Sequence, residues 1–163
     1  MLADVRSTAE STAEPVAPPD DRMRGSGLTR DLSFLLARAN ALSLAAGNAA
    51  LAEHGLRVRS YSVLALAMDD IRPSQRDLAA FLRLNPSQVV ALVDDLEDRG
   101  LVRREADPAD RRNNVVVATA EGRDCFVSAQ LAARAAEREL HGQISSRQRD
   151  QLAELLQTLA FPG

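Results

Sequence analysis

The chain has 163 residues, with 20 basic and 23 acidic side chains and a formal net charge of −3. Every basic side chain is an arginine, which excludes lysine Schiff-base chemistry and phosphate binding by a P-loop lysine. A single cysteine, Cys125, excludes an internal disulfide and a Cys-rich zinc site and fits a reducing cytoplasm, while aromatic residues at 3% predict an aliphatic core.

The first 27 residues are rich in Ser, Thr, Ala, Pro and acids. Such a composition cannot bury enough apolar surface to fold, so we predict a disordered tail over residues 1–27. The segment lacks the apolar stretch of a signal peptide. No run in the chain approaches 18 apolar residues, and the sequence therefore predicts no membrane span.

A helical pattern of Leu and Ala begins at Leu28 and continues to Ala50. Gly55 is a suitable residue just beyond a helix end. The pattern predicts one long helix over residues 28–55. A long helix near one end of a small domain often packs against another subunit, and we expect this one to serve dimerisation.

Three shorter helices follow. Ser60 is a good N-cap for the first of them. Ser74 follows the helix-breaking Pro73 and predicts the start of the second. The dipeptide Asn85-Pro86 predicts the third, because Asn favours the N-cap and Pro the first helical position. This third helix is expected to run to Arg99.

The periodicity then changes from helix to strand. Residues 101–105 and 114–119 are predicted strands, separated by a polar, turn-forming segment. Helices resume over 121–140 and again after Ser145. Two short helices joined by a tight turn and followed by a hairpin predict a mostly α fold with a small β-hairpin wing, a winged helix-turn-helix lobe and a helical dimerisation lobe.

The hairpin carries a specific motif. The residues Asp107-Pro108-Ala109-Asp110-Arg111-Arg112, followed by Val116, Thr119 and Gly122, resemble the wing consensus DxxDRRxxxVxLTxxG of the MarR family (multiple antibiotic resistance regulators). The segment 92–102 is similar to the end of the family's recognition helix and its first wing strand. The resemblance covers roughly residues 28–160.

The resemblance implies a homodimeric transcriptional regulator of the cytoplasm that binds double-stranded DNA at a pseudo-palindromic operator. Residues 28–55 and 121–163 would form the dimerisation helices, and residues 56–120 would form the DNA-binding lobe. Small molecules in this family often bind between the lobes and weaken DNA binding, so a repressor released by a ligand is expected.

Residues at the start of the third short helix are expected to contact DNA. Gln88 can make a bidentate contact to adenine. Ser87 lies near the helix N-terminus and can donate to a phosphate or a base. Asn85 and, on the preceding helix, Arg76 complete the set that we expect to contact DNA there.

The wing is expected to hold the minor groove. Its negative potential attracts arginine. By analogy with the family, Arg112 would enter the groove, Arg111 would lie beside it, and Asp110 would orient both.

The recognition helix departs from the family pattern. Many relatives place Arg or Lys where this chain has Ala91 and Asp95. The helix carries four carboxylates against one arginine, and acids facing phosphates cost Coulomb energy. This pattern keeps open an alternative, a winged-helix dimer that acts through protein contacts with weak or no DNA binding.

Polar or aromatic side chains of the helices beside the expected ligand pocket are the candidate effector contacts. They are Arg38, Asn40, His54 and Tyr61. An arginine there could pair with a carboxylate, so a small aromatic or carboxylate effector is expected. A second alternative is a zinc- or redox-responsive repressor. No His or Cys spacing typical of a metal site occurs, and neither a metal, a cofactor nor a catalytic constellation is predicted.

Overall fold

The computed structural model describes residues 22–68, 70–107 and 112–162. In chain order its regular elements are α1 (Leu32–Leu51), α2 (Val58–Ala67), α3 (Gln75–Leu82), α4 (Pro86–Asp98), β1 (Val102–Ala106), β2 (Asn114–Ala118), α5 (Ala120–Leu140) and α6 (Ser146–Ala160). The mostly helical class with one small antiparallel hairpin is confirmed. The chain divides into two compact units, Met1–Ala39 and Asn40–Gly163.

The helix predicted over 28–55 is interrupted at both ends. A 3-10 turn, Gly27–Arg30, comes first. The Phe34 amide then donates to the Asp31 carboxylate over 2.9 Å, so Asp31 caps a new helix that begins at Leu32. Beyond Leu51 the chain tightens into a second 3-10 turn, Ala52–His54. Most of the expected tail, residues 1–21, lies outside the described residues.

Gly55 ends this segment as predicted. Its φ is +65°, a left-handed conformation that glycine adopts without a Cβ penalty. The Leu56 amide donates to the Leu51 carbonyl over 3.1 Å, which satisfies a carbonyl that the helix itself leaves open. The Arg99 guanidinium donates to the carbonyls of Gly55 (2.8 Å) and His54 (3.2 Å) and so ties this turn to the end of α4.

The start predicted for α2 at Ser60 is wrong, because the helix begins at Val58. The Asn48 side chain accepts a hydrogen bond from the Val58 amide over 2.9 Å. Ser60 is the third residue of the helix; it is buried, and its hydroxyl accepts from the Arg57 amide over 2.9 Å. A cap supplied from α1 thus moves the helix start by two residues.

The core of the second unit is aliphatic, as the low aromatic content predicts. Fully buried side chains come from α2, α3, α4 and both strands; they include Val63, Leu64, Leu78, Val89, Val93, Leu96, Val102 and Val116. The hairpin is attached to the start of α3, since the Val116 amide donates to the Pro73 carbonyl over 2.9 Å. The wing base and the helix-turn-helix therefore share one core.

The junction between the wing and α5 explains two residues of the hairpin motif. The Thr119 hydroxyl donates to the Gly100 carbonyl over 2.6 Å and accepts from the Gly122 amide over 3.0 Å, which caps α5. A Cβ at Gly122 would lie 1.9 Å from the Leu101 carbonyl oxygen. Both residues are thus required by packing.

Apolar side chains remain exposed on α1 and α6. On α1 they are Leu32, Leu35, Leu36 and Leu42, and on α6 they are Leu152, Leu155, Leu156 and Leu159. By length and composition alone, the stretch Leu32–His54 would suffice to cross a membrane, whereas the sequence predicts no span. This is weak evidence, because a helix that packs on another subunit passes the same criterion.

Candidate nucleic-acid interface

The start of α3 is fixed by a reciprocal cap, as Ser74 predicts. The Asp77 amide donates to the Ser74 hydroxyl over 3.2 Å, and the Ser74 amide donates to the Asp77 carboxylate over 2.9 Å. The Ser74 hydroxyl donates to the same carboxylate over 2.7 Å. These bonds hold the pKa of Asp77 below its usual value. The first helix of the helix-turn-helix therefore begins at a defined residue.

The turn between α3 and α4 is short. Arg83 takes a left-handed conformation with φ +53°, and the Leu84 amide donates to the Ala79 carbonyl over 3.0 Å. Pro86 then occupies the first position of α4, where its missing N–H costs nothing. The turn leaves Asn85 and Ser87 exposed at the N-terminus of α4.

Gln88 is exposed there as well, but its amide is engaged. Its Oε1 accepts a hydrogen bond from the Asn85 amide over 3.2 Å. A bidentate contact to adenine uses both the oxygen and the nitrogen of the amide. Gln88 is therefore a capping residue in the free protein, and reading a base would require it to exchange this bond, worth about 1 kcal/mol net, for one to DNA.

Three of the four carboxylates on α4 have an arginine partner. Arg104 on β1 forms ion pairs with Asp94 and Glu97. Arg99 lies 3.4 Å from Asp95. Burial lowers the pKa of the Arg104 guanidinium, and its hydrogen bonds to the two acids raise it to above its ordinary value overall. The acidic half of α4 is thus largely neutralised within the protein.

Sequence reasoning missed Arg104. It is opposite Val116 in the antiparallel register and two residues after the buried Val102, so it lies on the inward face of β1. An arginine at an inward strand position, next to a helix rich in acids, is the signal that could have identified it.

The wing is described at its base only. The Asp107 amide donates to the Asn113 carbonyl over 2.9 Å and closes the hairpin. Arg112 is exposed at that base. Asp110 and Arg111 lie outside the described residues, and so does the ion pair expected of them.

Arg76 is exposed on α3 and lines a polar groove of about 560 Å³ beside the wing base. Arg72 lines it too, and its guanidinium is 2.5 Å from Glu105. Hydrogen bonds from Arg72 and Arg103 lower the pKa of Glu105. The groove brings Arg76 to the same side of the fold as the wing base.

The four expected effector residues have different surroundings. Arg38 lines a cavity of about 650 Å³ in the first unit, together with Leu28 and Phe34. In the second unit Asn40 is exposed and His54 is half-buried. The Tyr61 ring is stacked on Phe126 with centroids 5.2 Å apart, and burial raises the pKa of Tyr61.

The zinc- and redox-sensing alternative finds no support in the geometry. Among the residues that the structure describes, no three His, Cys, Asp or Glu side chains come together in an arrangement that could hold a metal ion. Cys125 is half-buried and packs against the core cluster.

Comparison with known proteins gives matches of one kind. The MarR family model matches residues 54–113. A MarR family transcriptional regulator from Rhodococcus sp. RHA1 is 44% identical, with a TM-score of 0.78 over 85% of this chain and 99% of that one. CouR from Rhodococcus jostii RHA1, solved with p-coumaroyl-CoA bound, is also 44% identical, with a TM-score of 0.75 over 85% and 97% of the two chains.

A curated relative matches over a shorter region. The transcriptional regulator HosA from Escherichia coli O111:H- is 36% identical over 64 residues, which is 39% of this chain. The match spans about half the length of HosA, 47%.

Proposed function

Because the chain belongs to the MarR family of transcriptional regulators, we propose that it is a cytoplasmic, homodimeric repressor that binds a pseudo-palindromic DNA operator and is released by a small molecule. The observation that carries the proposal is the capped helix-turn-helix. Its second helix exposes Ser87 and Gln88 at the N-terminus, and its core is shared with the hairpin base. This is the arrangement that docks a helix in the major groove.

The contacts with DNA would be divided between two elements. Ser87 and Gln88 would read base edges, with Asn85 and Arg76 on the flanking phosphates. Arg112, with Arg111 and Asp110 of the same wing, would enter the minor groove. Arginine suits that position because it is more weakly hydrated than lysine.

Genomic DNA selection with the purified protein, followed by fluorescence anisotropy on the recovered sites, tests this proposal. We expect salt-sensitive binding. In Arg112→Ala the slope of log K against log salt should fall by about 0.9 if one phosphate contact is lost. Arg147→Ala on α6 controls for the loss of one positive charge. The absence of salt-sensitive binding, to selected sites and to random fragments alike, would overturn the proposal.

The effector would be an aromatic acid or its coenzyme A thioester. CouR, which is 44% identical, is solved with p-coumaroyl-CoA bound. In this chain Arg38 borders a cavity with Phe34 and Leu28, which offers a cation beside apolar surface. Arginine pairs well with a carboxylate or a phosphate.

Titrating p-coumarate and p-coumaroyl-CoA separately into the protein–DNA complex tests the effector class. We expect one of them to release the DNA, and Arg38→Ala to weaken that release while DNA binding itself is retained. Thr29→Ala, which alters the same cavity without removing a charge, is the matched control. If neither compound binds, as measured by calorimetry, the proposed effector class is wrong.

The protein-contact alternative is motivated by the carboxylates of α4. Since Asp94, Asp95 and Glu97 each have an arginine partner, that motive is weakened. The DNA selection experiment distinguishes this alternative from the proposed function.

A further inference from the structure

One carboxylate shares a helix face with the proposed reading residues. Ser87, Val90 and Asp94 follow one another at spacings of three and four residues, so all three lie along one side of α4 and are exposed. Asp94 is about 10 Å along the axis from Ser87. A helix that enters the major groove along this side brings Asp94 toward the phosphates.

Arg104 reaches this carboxylate from the neighbouring strand. Its guanidinium is bonded to Asp94 and Glu97 on α4, and its Nε donates to Gln75 on α3 over 3.1 Å. Its main-chain amide donates to the Glu97 carboxylate over 2.8 Å. One side chain thus joins both helices of the helix-turn-helix to the wing strand.

The ion pairs of Arg104 are partly shielded from water. The Arg104 side chain is 23% exposed, whereas that of Arg103, its neighbour on β1, is 57% exposed. The forked guanidinium can serve two carboxylates at once, which a lysine ammonium cannot do with the same geometry. The sequence therefore places an arginine where two acids of the adjacent helix need one cation.

We propose that Arg104 is a positioning residue that screens Asp94 and Glu97 from DNA phosphates, so that an acidic helix can enter the groove. The inference rests on the proposed DNA-binding function. Arg104 acts through the two acids and not by touching DNA. Its role is electrostatic, which separates it from an arginine that merely holds the fold together.

The experiment measures operator affinity of four proteins at about 50 mM and about 300 mM NaCl. They are the wild type, Arg104→Ala, Asp94→Asn/Glu97→Gln, and the triple variant that combines these changes. We expect Arg104→Ala to bind at least about tenfold more weakly at low salt, with a smaller deficit at high salt, because salt screens exposed charges. The triple variant should recover to within about threefold of the wild type, since the carboxylates are gone.

The double variant is the sharpest test. Screening predicts that Asp94→Asn/Glu97→Gln binds DNA as tightly as the wild type or more tightly, because two acids are removed and Arg104 remains. If Arg104 were only a structural brace, the same variant would bind more weakly. This comparison holds even if Arg104→Ala fails to fold, which thermal unfolding would reveal.

Arg138→Ala on α5 controls for the loss of one positive charge. A weaker double variant, or an Arg104→Ala deficit that is independent of salt and not rescued in the triple variant, would overturn the inference while leaving the proposed function intact. If the wild type itself binds no DNA, the proposed function fails first.

Discussion

Gly100 and Gly122 illustrate how single residues determine the junction between α4, the wing and α5. Gly100 has φ +70° and open space where a Cβ would lie, so its requirement is conformational. Gly122 has no such dihedral but lies against the Leu101 carbonyl, so its requirement is steric. A family motif residue that resembles a wing determinant is therefore a packing residue of α5.

Replacing each glycine by alanine should separate the two causes. Gly100→Ala should destabilise the protein by about 1–2 kcal/mol, because a Cβ is strained at positive φ. Gly122→Ala should cost at least about 3 kcal/mol, since a Cβ at 1.9 Å from backbone forces α5 to move. Urea unfolding measures both, with Gly25→Ala, which meets nothing within 4 Å, as control. Equal costs at positions 100 and 122 would contradict the steric account.

Helix caps decide the outcome at the scale of elements. The caps predicted at Ser74 and Ser145 are confirmed, because each is a local bond to a residue three positions on. Ser60 failed as a cap because Asn48, distant in sequence, caps α2 instead. The clip at Arg104 was missed for the same reason: it links β1 to two helices, and no local pattern encodes such a contact.

The cap of α3 should contribute to stability in a pH-dependent way. The lowered pKa of Asp77 means that its bonds to Ser74 stabilise the fold above the ordinary aspartate value of 3.8 and are lost as the pH falls through the lower folded value. Ser74→Ala should therefore cost about 1 kcal/mol near neutral pH and less at pH about 3. Urea unfolding at the two pH values measures the difference.

Ser145 offers the matched control. It caps α6 through the same kind of box, but its partner Gln148 does not titrate. The cost of Ser145→Ala should be the same at both pH values. A cost of Ser74→Ala that stayed constant with pH would show that the Asp77 carboxylate does not take part.

At the scale of the whole molecule, α6 stands out because none of its residues is buried. A helix of 15 residues is marginal in water on its own. Its exposed leucines, together with those of α1, are the surface that a second copy would cover in the proposed homodimer.

Leu155→Arg should therefore weaken the dimer. Leu155 is 65% exposed within one chain, and burying it in a partner contributes about 1.5–3 kcal/mol. We expect sedimentation to show a wild-type dimer at micromolar concentration and a dissociation constant at least about tenfold higher in the variant. Gln157→Arg, on the same helix, controls for the added charge. A wild type that sediments as a monomer would refute the proposed assembly.

The bond between Gln88 and Asn85 has a consequence for how the protein would search a genome. A side chain that satisfies its own helix end does not depend on the base beneath it, so the protein could move along unrelated sequence with its reader stowed. Only an adenine in the right place would repay the opening of that cap. Discrimination would then arise from an exchange between two nearly equal partners, which favours rapid sampling over tight holding at wrong sites.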